Sequence, residues 1–330
     1  MRPGLPPVAS SGDKKPSVLL VDDHREVLDR VSALLTEDFE VAVAADGWQA
    51  VDVASLVAPE LIVLDINMPR LDGFQTLRAL TQAGSRAPVV FLSMLDDEEI
   101  VGAAFRSGGQ GYVLKRHVAR DLKSALDHVR QGRVFVPSLT SLFHLTNGHG
   151  QMHAMQLYSD LPSFLDGLAP LFDAALRRGD ATCVIASEDV REGLHRRLRE
   201  RGWDVGGASG HERYLVVDAA AALNRFMLNG LPDVNRLEQI AAELNEYRRT
   251  VTDGGTGTLT IFGNMVASLC ADGNTAAMIA LERHWNALTH DLPFLTVCGY
   301  PRSCFRRNAP DVWSGACAQH RAVSHAPDRW

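Results

Sequence analysis

The chain has 330 residues, of which 46% are hydrophobic and 22% charged, and it carries a formal net charge of −7. That length accommodates two cores, and that apolar share excludes a largely disordered protein. The acidic balance offers no global attraction for nucleic acid or an acidic membrane, and no run approaches the ~20 apolar residues of a membrane span. The N-terminus lacks the apolar segment of a signal peptide, so a cytoplasmic location is expected. Five cysteines, Cys183, Cys270, Cys298, Cys304 and Cys317, lie far apart with no CxxC pair. They read as reduced thiols, with neither a disulfide framework nor a zinc site indicated.

Residues 1–16 mix Pro, Gly, Ser and Lys without periodicity and read as a disordered arm. Five short apolar runs follow, at 18–21, 41–44, 61–64, 89–92 and 112–114, each trailed by a helically spaced stretch. The fifth helix, 119–131, stops at Gly132. Alternation of this kind predicts a parallel sheet covered by helices, with functional residues gathered at the carboxyl edge of the strands. Residues 133–151 turn towards Ser, Thr, Asn and Gly and read as a linker.

A second alternation begins at 152. Strands are predicted at 152–158, 182–186, 214–217, 258–262 and 294–299, and helices at 162–178, 190–201, 219–229, 234–250 and 276–288. From 306 to 330 the chain is polar and irregular and reads as a tail.

Asp22 and Asp23 directly follow the run VLLV, and Asp65 directly follows LIVL, so three carboxylates are expected to converge at one sheet edge. Crowded carboxylates resist ionisation unless a cation neutralises them, which makes the trio a seat for a hard ion such as Mg2+. Ser93 follows the fourth run and Lys115 closes the fifth. A single Asp in such a place would read as a helix cap; five polar positions at successive strand ends do not.

The motifs VLLVDDH, VLDINMPRLDG, VVFLSM and GYVLK make residues 17–132 resemble the receiver domain of bacterial two-component response regulators, a flavodoxin-like (βα)5 fold. The resemblance implies that Asp65 accepts a phosphoryl group from a sensor histidine kinase, and that Asp22, Asp23, Asp65 and the main chain of Asn67 hold Mg2+. It further implies that Lys115 grips a phosphoryl oxygen, that Ser93 is the switch hydroxyl, and that Tyr112 is the aromatic that moves with it. Where the family usually has Pro after the lysine, this chain has Arg116.

The remaining chain alternates strands and helices, unlike a small basic helix-turn-helix DNA reader, so nucleic-acid binding is not expected. The basic run HRRLRER (195–201) fits one solvated helix face. Through HAMQLYSD, ALRRGDATCVIAS, YLVVDAAAAL, LTIFGNMVASL, LERHWNAL and FLTVCGYP, residues 152–305 resemble the DcmR-type methanogen/methylotroph sensory domain, itself similar to a RecA/KaiC-like core. A working phosphate loop needs glycines, a Lys and a Ser or Thr. The equivalent stretch, YSDLPSFLDG, places Asp160 where phosphates need positive charge, so this is a core without a P-loop. GGASG (206–210) and DGGTG (253–257) lack a following Lys and read as turns.

The resemblance implies a sensory crevice for a small hydrophobic ligand, with His153, Tyr158, Asp218, Asn264, Trp285 and Cys298 as candidate lining residues. Each also has a structural reading: a satisfied histidine, a helix cap or a core tryptophan. The expectation is a phosphorylated switch without enzymatic turnover, without membrane attachment, and self-associating as a homodimer. The alternatives are a small-molecule sensor modulating the phosphorelay, a residual ATPase, and a DNA-binding regulator.

Overall fold

The computed structural model describes residues 15–146, 151–205, 211–306 and 315–326. The chain divides into two compact units, Met1–Leu92 and Ser93–Trp330.

In the first unit, strands β1 (Ser17–Val21), β2 (Glu40–Ala44), β3 (Leu61–Asp65) and β4 (Val89–Ser93) alternate with helices α1 (Arg25–Leu35), α2 (Gly47–Val57) and α3 (Gly73–Gln82). The strands pair in parallel in the order β2-β1-β3-β4, the opening of the flavodoxin-like order. The middle strands are buried on both faces, which is why they read as continuous apolar runs rather than alternating ones. Asp46 caps α2 by accepting from the Gln49 amide. Asp72 and Gln75 form a reciprocal capping box on α3.

The second unit opens with α4 (Glu98–Arg106), β5 (Gly111–Leu114), α5 (Val118–Arg130), β6 (Val134–Phe135) and α6 (Leu142–Leu145). Next come β7 (Met152–Tyr158), α7 (Leu161–Arg177), β8 (Ala181–Ala186), α8 (Glu188–Glu200), β9 (Tyr214–Asp218), α9 (Ala219–Phe226), β10 (Met227–Leu228), β11 (Leu231–Pro232) and α10 (Val234–Val251). The chain ends through β12 (Leu259–Gly263), α11 (Met265–Ala271), α12 (Thr275–Leu288), β13 (Phe294–Pro301), α13 (Ser303–Arg306) and β14 (Ala322–His325). Its sheet runs β5-β6-β14-β7-β13-β12-β8-β9, every pair parallel. The α/β class expected for both halves is what the chain forms.

Three expectations need correction. The expected linker contributes β6 and the short helix α6, with Val136, Leu139 and Leu142 in the core; residues 147–150 lie outside the described residues. The expected tail contributes β14, which is buried and inserted between β6 and β7. Four residues reading AVSH are too few to show a period, and their burial comes from two long-range partners that local sequence does not reveal. The helix expected to run to Asn229 ends at Phe226, because Asn229 and Gly230, both with positive φ (53° and 81°), make the two-residue turn of the β10–β11 hairpin.

Residues 1–14 of the expected arm (1–16) and the GGASG turn (206–210) lie outside the described residues, while Lys15 and Pro16 of that arm bond to Thr36 and Glu40. The DGGTG segment is a turn as expected, with Gly254 and Gly255 at φ 62° and 70°. All five cysteines are buried free thiols. Among the described residues no helix is long and apolar enough to cross a membrane.

Candidate functional site

Strands β1 and β3 are parallel neighbours, with Val21 opposite Leu64. The residues that follow or end them therefore emerge at the same carboxyl edge. Asp22 is fully buried and Asp65 nearly so, while Asp23 is partly exposed. These three and His24 each offer a ligand atom within 4.8 Å of the others. The His24 imidazole lies 2.9 Å from Asp23 Oδ1 and 3.4 Å from Asp22 Oδ1, on the solvent side of the cluster. The chemistry of this donor set, carboxylate oxygens held close around one point with one of them open to solvent, fits a hard divalent ion that keeps part of its water shell.

The loop after β3 is shaped around Asp65. Asn67 is exposed two residues on, and the Gly73 amide donates to the Ile66 carbonyl at 2.9 Å. A methyl group on Gly73 would collide with the Asp65 carbonyl oxygen and come within 2.8 Å of Ile66 Cα. Only glycine lets the start of α3 approach the strand end this closely.

In the second unit, Ser93 Oγ accepts from the Leu95 amide at 3.1 Å, and the fully buried Tyr112 donates its hydroxyl to the Leu95 carbonyl at 2.6 Å. Ser93 and Tyr112 are thus tied to one short loop. Lys115, Arg116 and His117 form a 3-10 turn after β5. Arg116, standing where proline was expected, pairs with Asp96 at 2.7 Å and holds that carboxyl below its usual range.

In the sensory half, an apolar cavity of about 280 Å3 lies among residues of β8, β9, β12, β13 and helices α9 to α12. Trp285 and Cys298 line it, with Thr296 accepting from the Trp285 indole at 3.1 Å. His153 sits beside it, 3.3 Å from Cys298 Sγ. The other three candidates are occupied elsewhere. Tyr158 stacks on Phe164 with ring centres 4.5 Å apart, and burial pushes its hydroxyl up to about 12. Asp218 caps α9 and pairs with Arg191 at 3.2 Å. Asn264 exchanges hydrogen bonds with Ser187, and Asp160 caps α7.

Two residues the sequence did not single out, Glu282 and His320, join His153 and Cys298 in a fully buried polar cluster. Burial opposes charge on Glu282, yet His320 and His153 together hold its carboxyl well below the ordinary range. Burial, reinforced by Glu282, pushes the Cys298 thiol up. A signal for Glu282 was present: it shares the apolar stripe of α12 with Met278, Leu281 and Trp285. His320 had none, because it lies in the segment read as a tail.

The first unit is thus a parallel α/β sheet with three carboxylates at neighbouring strand ends. Residues 18–127 match the response regulator receiver domain, and residues 152–320 match MEDS, the methanogen/methylotroph DcmR sensory domain. The chain belongs to the MEDS family and carries a receiver domain ahead of its sensory domain. It is similar to the transcriptional regulatory protein DegU of Brevibacillus brevis, 35% identical over 132 residues that make up 39% of this chain and 56% of that protein. The nitrate/nitrite response regulator protein NarL of Escherichia coli K12 is 32% identical over 127 residues, 38% of this chain and 59% of that one. The chain thus spans somewhat over half the length of these relatives. Among solved structures, chemotaxis protein CheY4 of Vibrio cholerae is 28% identical, covering 35% of this chain and 98% of its own, with a TM-score of 0.33.

Proposed function

We propose that this chain is a response regulator of a two-component phosphorelay, phosphorylated on Asp65 by a sensor histidine kinase, with the sensory domain as a ligand-binding or protein-interaction output rather than a DNA reader. The convergence of Asp22, Asp23 and Asp65 at one strand edge carries this reading. An Asp65 carboxylate oxygen attacks phosphorus in line as the bond to the donor breaks, giving an acyl phosphate. Asp22, Asp23, Asp65 and the Asn67 carbonyl would hold Mg2+, which supplies countercharge to the phosphoryl oxygens. In this reading Lys115 balances the remaining charge and Ser93 turns towards the new acceptor oxygens, carrying the Leu95 loop and Tyr112 with it. The cycle is signalling without metabolic turnover.

A small phosphodonor with Mg2+ is expected to label the wild type and leave Asp65→Ala unlabelled. Equal labelling of both would overturn the assignment. The apolar cavity favours a second element, a small hydrophobic ligand, since a dry cavity of roughly 150 Å3 already admits benzene. Short-chain or volatile compounds that fill it are expected to raise the melting temperature of the chain, as selective binding to the folded state requires. A screen that shifts nothing would remove that element while leaving the phosphorylation reading intact. Homodimerisation belongs to the same proposal and is read by mass in solution with and without phosphodonor.

A further inference from the structure

Four donor side chains from four separate segments meet inside the sensory domain: His153 on β7, Glu282 on α12, Cys298 on β13, and His320 two residues before β14. All are buried, and each offers one donor atom within 4.8 Å of the others. His153 Nε2 lies 3.1 Å from Glu282 Oε2 and 3.3 Å from Cys298 Sγ. Cys298 Sγ lies 3.6 Å from Glu282 Oε2, and His320 Nε2 lies 3.4 Å from Glu282 Oε1.

These separations are compatible with donors gathered around one ion. A plain charge-assisted hydrogen bond would draw nitrogen and oxygen to about 2.8 Å. Donors bound tetrahedrally at about 2.0–2.1 Å for nitrogen and oxygen and about 2.3 Å for sulfur stand roughly 3.3–3.6 Å from one another. The two sulfur contacts and the His320–Glu282 contact fall in the second range, and the His153–Glu282 contact at 3.1 Å falls between the two. The remaining contacts aim the donors inward. His320 Nδ1 bonds the Ala316 carbonyl at 2.8 Å, while its buried Nε2 faces the cluster with no hydrogen-bond partner. The Tyr300 hydroxyl donates to Glu282 Oε1 and fixes the carboxylate. Such outer contacts set tautomer and ring orientation at metal sites.

We propose that His153, Glu282, Cys298 and His320 form a tetrahedral zinc site in the sensory domain. Two imidazoles, a carboxylate and a thiolate suit a borderline ion such as Zn2+ and not Mg2+ or Ca2+. On binding, the Cys298 thiol gives up its proton to solvent and its sulfur bonds the metal. The ion would pin α12 and β13 to β7 and to the segment that leads into β14. Its Glu282–Cys298 edge would form the polar wall of the apolar cavity, which both residues line.

Cobalt titration of the full chain in excess Mg2+, added to compete for the acidic cluster of the receiver, tests this. About one Co2+ per chain is expected to give the intense visible bands of a tetrahedral site and a near-ultraviolet thiolate charge-transfer band, both erased by Zn2+. Cys298→Ser is expected to lose the charge-transfer band, and His320→Ala to bind at least tenfold more weakly. Only the weak spectrum of six-coordinate cobalt in the wild type, or a charge-transfer band that survives in Cys298→Ser, would overturn the proposal. Should the variants not fold, elemental analysis of the wild type after dialysis decides. About one retained zinc per chain supports the site, and a folded chain that takes up none refutes it.

Discussion

Gly73 is the residue at which a single methyl group tests the receiver geometry. Its neighbours are the Asp65 carbonyl and the Ile66 backbone, neither of which can rotate away as a side-chain tip could. Gly73→Ala is therefore expected to shift the β3–α3 loop, to cost about 1–3 kcal/mol in urea unfolding, and to lower Asp65 phosphorylation. Unchanged labelling and an unchanged urea midpoint would show that the loop gives way freely. His128 carries a pH dependence. Burial is the main cause that lowers its value from 6.5 to about 4, against the opposing hydrogen bond to the Ser124 carbonyl. Between those two pH values the unfolded chain takes up a proton that the folded chain refuses, so stability is full above pH 6.5 and falls as pH drops towards 4. The loss reaches about 3 kcal/mol. Urea midpoints measured from pH 7 to pH 4.5 should fall less steeply in His128→Gln than in the wild type. The receiver carboxylates were legible at this scale because each follows an unbroken apolar run. Glu282 was legible only as a position on the apolar stripe of α12, because a charged residue there does not by itself reveal the distant histidines that partner it.

Strand β14 decides how much of the second unit's sheet survives. It pairs in parallel with β6 on one side and β7 on the other, and Ala322 and Val323 are fully buried. A chain truncated after Arg306 leaves two strand edges unpaired and uncovers the apolar faces they held, which invites aggregation. Truncation is expected to yield insoluble or noncooperatively unfolding protein, read by solubility and a thermal melt. A soluble, cooperatively melting fragment would mean that β14 is dispensable. The same strand meets α5 through a buried carboxylate. Asp121 accepts from His325 Nδ1 at 2.8 Å and is held by Arg120 Nε at 2.6 Å. Burial works against the Asp121 charge, but Arg120 and His325 together keep its carboxyl below the usual range. Asp121→Ala removes the buried carboxylate that His325 and Arg120 share and is expected to cost about 3 kcal/mol, more than an exposed ion pair of about 0–1 kcal/mol. A double-mutant cycle with His325→Ala separates the pair's own coupling from lost packing. Helices α5 and α12 were readable from their spacing. β6, β10, β11 and β14 were not, since two to four residues carry no period and owe their form to distant partners or to one turn.

At the scale of the molecule, the elements expected to sense the phosphoryl group belong to the same compact unit as the sensory domain. Ser93, Tyr112, Lys115 and α5 all lie within Ser93–Trp330. There α5 meets β14 through Asp121 and His325, and Ser124 Oγ lies 3.3 Å from His325 Nε2. β14 in turn runs beside β7, the strand that carries His153. Two domains were legible from the repeated alternation of strands and helices. That one chain segment at the far end would insert beside β6 and share contacts with α5 was not, because no local pattern encodes a pairing across about 190 residues. A phosphoryl group on Asp65 adds roughly −1.5 to −2 charges and three acceptor oxygens. If Ser93 and the Leu95 loop follow that charge, α5 and β14 are the path by which the sensory domain feels it. Hydrogen–deuterium exchange with a small phosphodonor and Mg2+ is expected to change amide protection in the Leu95 loop, α5 and β14 of the wild type, and nowhere in Asp65→Asn. Asp121→Asn should keep the change in the loop while reducing it in β14. A change that stops at the loop in the wild type would mean that phosphorylation is read by an outside partner and not by the attached sensory domain.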